Sequence, residues 1–193
     1  AWLKECFIEW LGAEVIWELY AGTEGQGTTM IRGDEWLTHK GSVGRPVEAC
    51  EIKIVGEAGE TLPSGEVGEV FLRPLTGQGT TYRYIGAEAK SIEGGWESLG
   101  DLGWMDEEGY LYLTDRLSDM ILSGGANIYP AEVEAAIDAF PGVRSSAVIG
   151  LPDDDMGARL HAIIDRPEGS VDVEEMNAHL ADHLVRYKIP KRF

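Results

Sequence analysis

Hydrophobic and polar positions change period twice along this chain. Trp2, Leu3, Cys6, Phe7, Trp10 and Leu11 recur at helical spacing, which predicts an α-helix stopped at Gly12. Val15, Ile16, Trp17, Leu19 and Tyr20 then form a short, almost wholly apolar run, as expected of a strand buried on both faces. It opens into Ala21-Gly22-Thr23-Glu24-Gly25-Gln26-Gly27. Small residues, a hydroxyl and a carboxylate just past a buried strand are where open α/β sheets bind ligands, although a plain turn has the same composition. From Gly41 to Arg116 the period shortens to two. Ile52 and Ile54, then Val67, Val70 and Leu72, alternate with polar neighbours across the turn-rich GEAGETLPSGE. Trp96–Leu99, Leu102–Met105 and Tyr110–Leu113 follow, with Asp106 to Gly109 as a hairpin turn. Short strands with close turns predict a small antiparallel barrel or sheet.

Beyond Arg116 the pattern becomes βαββα. Val133, Ile137 and Phe140 give one helical face, ended by Pro141-Gly142, and Val143–Gly150 and Arg159–Ile164 read as strands. Asp172 with Glu175 three residues later has the form of a capping box ahead of the stripe Val173, Met176, Leu180 and Leu184. The densest stretch is DRLSDMILSGGANIYPAEVE, from Asp115 to Glu134. On spacing it is a strand–turn–helix joint. Gly124 and Gly125 admit backbone angles closed to other residues, Pro130 suits a first helical turn, and Glu132 and Glu134 follow where the helix dipole favours acids. The switch of pattern places a domain boundary there, giving 1–116 and 117–193. The fold class expected is α+β: the end of a large domain, with an α/β strand and a β-barrel-like subdomain, followed by a small α+β domain.

Composition narrows the functional classes. The 193 residues are 44% hydrophobic and 26% charged, enough for a packed core, and 16 basic against 34 acidic residues leave a net charge of −18. Bulk charge therefore argues against nucleic-acid or anionic-membrane partners, and a phosphate ligand would need local backbone donors, a cation or a few placed basic residues. Cys6 and Cys50 are too few for a disulfide framework, which fits a reducing, cytoplasmic setting. No apolar run approaches the roughly eighteen residues of a membrane span. The chain enters helical periodicity without a cap and stops just after Pro190, so it is expected to be a piece of a longer protein.

Three clusters, in order, resemble the adenylate-forming superfamily of acyl-CoA synthetases, luciferases and peptide-synthetase adenylation domains. Tyr20-Ala21-Gly22-Thr23-Glu24 is similar to its Y-G-x-T-E motif, with Ala21 at the usual glycine. Gly95-Trp96-Glu97-Ser98-Leu99-Gly100-Asp101 is similar to G-W-x-x-T-G-D, with Leu99 at the common threonine. Asp115-Arg116 through Glu134 resembles the family's hinge motif. Within the superfamily, Ser123 to Pro130 and the segment Arg32 to Pro46 are most similar to acyl-CoA ligases.

The resemblance implies activation of a carboxylic acid with ATP and Mg²⁺, giving an acyl-adenylate, and transfer of the acyl group to coenzyme A. It implies roles for Tyr20 (stacking adenine), Ala21 and Gly22 (small residues at the nucleotide), Thr23 (bonding phosphate) and Glu24 (holding Mg²⁺). Thr23 and Glu24 are the catalytic candidates. It further implies that Asp101 binds the ribose hydroxyls and Arg116 adds donors near ribose or phosphate. Ser118 falls at the hinge, where aspartate or lysine is usual, and Gly124 and Gly125 fall in the loop lining the pantetheine tunnel. The family's phosphate loop is expected upstream of residue 1 and its adenylating lysine beyond residue 193. Neither Lys188 nor Lys191 stands in that lysine's context, so the fragment alone is expected to be inactive. Which acid is used, fatty, aromatic or steroid-like, is left open.

Alternatives are an adenylation domain of another class and a non-catalytic nucleotide- or partner-binding module. His179 and His183 lie one helical turn apart but lack a third metal ligand. Asp153 to Asp155 reads as a solvated turn. Gly77-Gln78-Gly79-Thr80-Thr81 lacks the strand and helix of a P-loop and reads as a surface loop. Trp2, Trp10, Trp17 and Trp36 are expected in the core or a domain contact.

Overall fold

The computed structural model describes residues 2–22, 25–75, 90–167 and 169–193. The chain separates into two compact units, Ala1–Leu117 and Ser118–Phe193. The fold is α+β and dominated by sheet.

In the first unit, α1 (Trp2–Leu11) ends where Gly12 takes a φ of 94° and donates its N–H to Ile8 O. The helix is as expected, but the face is not. Its buried residue is Ile8, packed with Ile31, Trp36 and Tyr110, while Trp2 and Trp10 are exposed. Strands follow as β1 (Trp17–Ala21), β2 (Thr28–Arg32), β3 (Ser42–Pro46), β4 (Cys50–Val55), β5 (Gly68–Pro74), β6 (Lys90–Ile92), β7 (Trp96–Met105) and β8 (Leu111–Arg116). A short helix, α2 (Gly33–Thr38), interrupts them, and six residues are too few to show a period.

The strands join in the order β1-β2-β3-β8-β7-β5-β4, with β6 on β7, and every neighbouring pair is antiparallel. Two expectations need correction. The sheet is open, with β1 and β4 as its edges, so no closed barrel forms among the described residues. β1 is not a strand buried on both faces: among the described residues it pairs with β2 alone, and Trp17 and Leu19 point outward while Glu18 and Tyr20 are half-buried. An apolar run shows that a strand can be buried, not that neighbours exist to bury it.

The sheet bends where its ladders are irregular. The register shifts between Ser42 and Gly44, between Glu69 and Phe71 and between Leu102 and Gly103. A bulged strand bends and twists more strongly than a regular one. Gly44, with φ 97°, is required here, because a Cβ would stand 2.2 Å from Met30 O. Trp96–Leu99 and Leu102–Met105, expected as two strands, form the single bent strand β7. Its core partners are Ile54, Val70, Leu72 and Leu111, with Tyr20, Val43 and Leu113 packed against them.

The second unit starts with a hairpin of β9 (Ile121–Ser123) and β10 (Ala126–Ile128). Then come α3 (Pro130–Asp138), β11 (Ser145–Asp153), β12 (Gly157–Asp165) and α4 (Val173–His183), followed by a 3-10 turn at Arg186–Lys188. Pro130 opens α3, and Asp172 caps α4 by accepting the N–H groups of Glu174 and Glu175. Glu134 lies one step past the first turn of α3, contrary to expectation. Its carboxylate accepts the Val148 N–H at 2.8 Å and ties the helix to β11. Ile128, Val133, Ile137, Ala162, Met176 and Leu180 are fully buried together. Asp153 turns the β11–β12 hairpin by accepting the N–H groups of Asp155 and Met156, which hold its carboxyl below the usual carboxylate range. His179 and His183 instead meet backbone oxygens, of Ala136 and of His179 respectively. No helix among the described residues is long and apolar enough to cross a membrane. The Gly77–Thr81 stretch lies outside the described residues.

Met176, wholly buried between the helices and the hairpin, tests this packing. Met176→Ala is expected to remove about 2–5 kcal/mol of stability. A loss below about 1 kcal/mol in urea unfolding, followed by circular dichroism, would contradict the packing described.

Candidate functional site

Three of the expected site residues meet in the first unit. Tyr20 comes from β1, Asp101 from β7 and Arg116 from β8. Four strand spacings separate β1 from β7 in the sheet, roughly 19 Å if it were flat. The Tyr20 hydroxyl nevertheless donates to Asp101 Oδ2 at 2.7 Å, so the open sheet curls back on itself. Arg116 is the register partner of Asp101 across β7 and β8, and its Nε lies 3.4 Å from Asp101 Oδ1.

The surroundings differ sharply within the triad. Asp101 is 8% exposed, whereas the Arg116 side chain is 71% exposed. So exposed an ion pair contributes at most about 1 kcal/mol, which leaves the guanidinium free to swing toward a ligand. Burial pushes the Tyr20 phenol above its ordinary range, and the bond to Asp101 and its charge push the same way, while Arg116 opposes them. The phenol is therefore a fixed donor, and Asp101 a carboxylate presented to hydroxyls.

A half-buried, hydrogen-bonded prop holds the bend of β7 just before Asp101. Ser98 Oγ donates to Glu69 Oε1 and accepts the Gly100 N–H, while Glu69 Oε2 accepts from Lys90. Leu117 N–H closes onto Gly100 O at 2.7 Å. Sequence reading placed Ser98 within a motif but assigned it no task. Glu69, on another strand, carried no signal at all.

Ala21 ends β1 opposite Thr28, and Gly22 follows it, its carbonyl accepting the Gly25 N–H. Thr23 and Glu24 lie outside the described residues. Ser118, Gly124 and Gly125 belong to the second unit. Ser118 is exposed and its hydroxyl donates to Asp119. Gly124 and Gly125 form the two-residue tip of the β9–β10 hairpin with φ of 57° and 80°, as a type I′ turn needs. The Gly124 N–H also donates to Met156 O at 2.9 Å, which ties the tip to the β11–β12 turn. Among the described residues no group of three or more His, Cys, Asp or Glu could hold a metal ion.

The Tyr20 phenol sets an alkaline limit. Its folded pKa lies above the unfolded value of about 10, so its contribution to stability is complete below that pH and is lost as pH rises toward the folded value. Tyr20→Phe is expected to show a shallower fall in thermal midpoint than wild type above about pH 10. Identical slopes would show that the phenol titrates normally.

Comparison with known proteins follows the same two units. A sequence model described as AMP-binding enzyme matches residues 1–84, and one described as AMP-binding enzyme C-terminal domain matches residues 132–193. The long-chain-fatty-acid–CoA ligase FadD13 of Mycobacterium tuberculosis is 38% identical over 174 residues, covering 90% of this chain and 34% of the relative. The feruloyl-CoA synthase of an Amycolatopsis species is 41% identical over 177 residues, covering 89% of this chain and 35% of the relative. The solved structure of o-succinylbenzoate CoA synthetase (MenE) from Bacillus subtilis, in complex with the acyl-adenylate intermediate OSB-AMP, superposes with a TM-score of 0.82 at 34% identity, covering 99% of this chain and 39% of that one. The chain thus spans about a third of the length of the curated relatives it matches. With a family model on each unit and the expected motifs in order, the chain belongs to the AMP-binding enzyme family.

Proposed function

We propose that the protein carrying this chain is an AMP-forming carboxylic acid–CoA ligase, and that this chain supplies its nucleotide-holding triad and its CoA-facing hairpin. The observation that carries the reading is the meeting of Tyr20, Asp101 and Arg116 on a curled sheet. Asp101 accepts a phenolic hydroxyl at 2.7 Å and faces the exposed Arg116 guanidinium, the acceptor chemistry that ribose hydroxyls need. Relatives named as ligases of fatty, feruloyl and succinylbenzoyl groups support the class of reaction.

In this reading the acid's carboxylate oxygen attacks the α-phosphorus of ATP and pyrophosphate leaves. The thiolate of coenzyme A then attacks the acyl carbon and AMP leaves. Tyr20 offers its ring face to adenine, Asp101 accepts from the ribose hydroxyls, and Arg116 reaches ribose or phosphate. Ala21 and Gly22 leave room for close backbone approach, and Thr23 donates its hydroxyl to phosphate. Glu24 would hold Mg²⁺, which when bound neutralises phosphate charge. Residues 1–116 are read as the end of the large domain and 117–193 as the small mobile domain, with support from the division after Leu117. Ser118, first residue of the second unit, is the hinge, and the Gly124–Gly125 tip lines the path of the pantetheine arm.

The test is acid-dependent release of pyrophosphate from ATP by the full-length protein, over alkanoic, cinnamic and benzoic acids, with the CoA thioester identified by mass spectrometry. Asp101→Ala is expected to weaken AMP at least about tenfold, since two hydrogen bonds to a charged acceptor are lost. Pyrophosphate release with none of the acids would overturn the proposal.

A further inference from the structure

Asp101 does not stand on a regular stretch of β7. Glu69 of β5 pairs with Leu102 and Phe71 with Ser98, so Val70 alone stands opposite Leu99, Gly100 and Asp101. Those three residues form a bulge, in which Gly100 takes a φ of 80°. A bulge re-aims the side chains it carries. It holds one direction only where other bonds replace those of the ladder.

Side chains supply such bonds here. The Gly100 N–H donates to Ser98 Oγ at 2.9 Å, and the single Ser98 hydroxyl proton goes to Glu69 Oε1 at 2.7 Å. Glu69 Oε2 accepts from Lys90 Nζ at 2.5 Å, and Lys90 is the register partner of Ser98 on β6. Glu69 thus grips the bulge at both ends, through its backbone at Leu102 and through its side chain at Ser98. Ser98 is buried and the Glu69 side chain is 12% exposed, so water competes little for their bond. The Lys90 side chain, 53% exposed, is the loose end of the chain of bonds.

We propose that Glu69 is a positioning residue for nucleotide binding. Through the acceptor it offers to Ser98, it fixes the Leu99–Asp101 bulge in the arrangement that brings the Asp101 carboxylate to Tyr20 and Arg116. This rests on the proposed role of Asp101 toward the ribose hydroxyls, and names what sets that role's strength. What Ser98 needs is an acceptor rather than a charge, and a neutral amide oxygen at the same place would take the same hydroxyl.

The experiment is a double-variant cycle in the full-length protein, with AMP affinity read by calorimetry, which requires no turnover. Glu69→Ala is expected to bind AMP about fivefold more weakly than wild type. Glu69→Gln is expected to stay within about twofold, since the pair with Lys90 that it gives up is exposed. Combined with Asp101→Ala, Glu69→Ala is expected to cost nothing further, because it reaches the nucleotide only through that carboxylate. Hydrogen exchange of the segment around Gly100, followed by mass spectrometry without ligand, is expected to quicken in Glu69→Ala and not in Glu69→Gln. Wild-type affinity in Glu69→Ala, the same loss with and without Asp101, or a loss in Glu69→Gln as large as in Glu69→Ala would overturn the inference, as would an absence of AMP binding in wild type. Should Glu69→Ala not fold, Ser98→Ala, which removes the link between Gly100 and Glu69, is read in the same cycle. The expected cycle without pyrophosphate release from any acid would sink the ligase reading and leave this one standing.

Discussion

The hydrogen bond from Tyr20 to Asp101 is the constraint on which the first unit turns. It joins an edge strand to a strand four places away, and only a strongly curled sheet allows it. The curl comes from three register shifts and from Gly44, which lets β3 pass against the Met30 carbonyl. Each of these is a local irregularity that weakens a ladder. Together they bring a buried carboxylate, a phenol and an exposed guanidinium to one place. The sheet gives up regularity where these three side chains converge.

The second unit is built differently, and the two glycines singled out in it form a hairpin tip rather than part of a strand interior. Its core is one cluster in which α3 and α4 cover the β11–β12 hairpin. Glu134 adds a polar tie from α3 to β11 inside that arrangement. The β9–β10 tip is held against the β11–β12 turn by the Gly124–Met156 contact, so its two glycines sit on a rigid base. A loop fixed at its base presents backbone atoms closely without side chains in the way.

Much of this was legible in the residues. Helix α1 with its stop at Gly12, the Asp106–Gly109 turn, Pro130 at the start of α3 and the Asp172 cap follow from local rules that act within a few residues. The helical face of α1 was misjudged because Ile8, Trp36 and Tyr110 meet only through tertiary packing. The strand β1 was misjudged because an apolar run does not reveal whether neighbours cover it. Glu69 was invisible because its link to Ser98 spans 29 residues and crosses between strands.

The amino-acid sequence by itself determined the family, the order of the motifs, and the residue types that suit a nucleotide, because those are properties of short stretches read along the chain. Only the tertiary structure decided that Tyr20, Asp101 and Arg116 share one locus and that the sheet is open among the described residues. Those are matters of distance and of solvent exclusion, and both arise when the sheet curls and closes over what lies inside it.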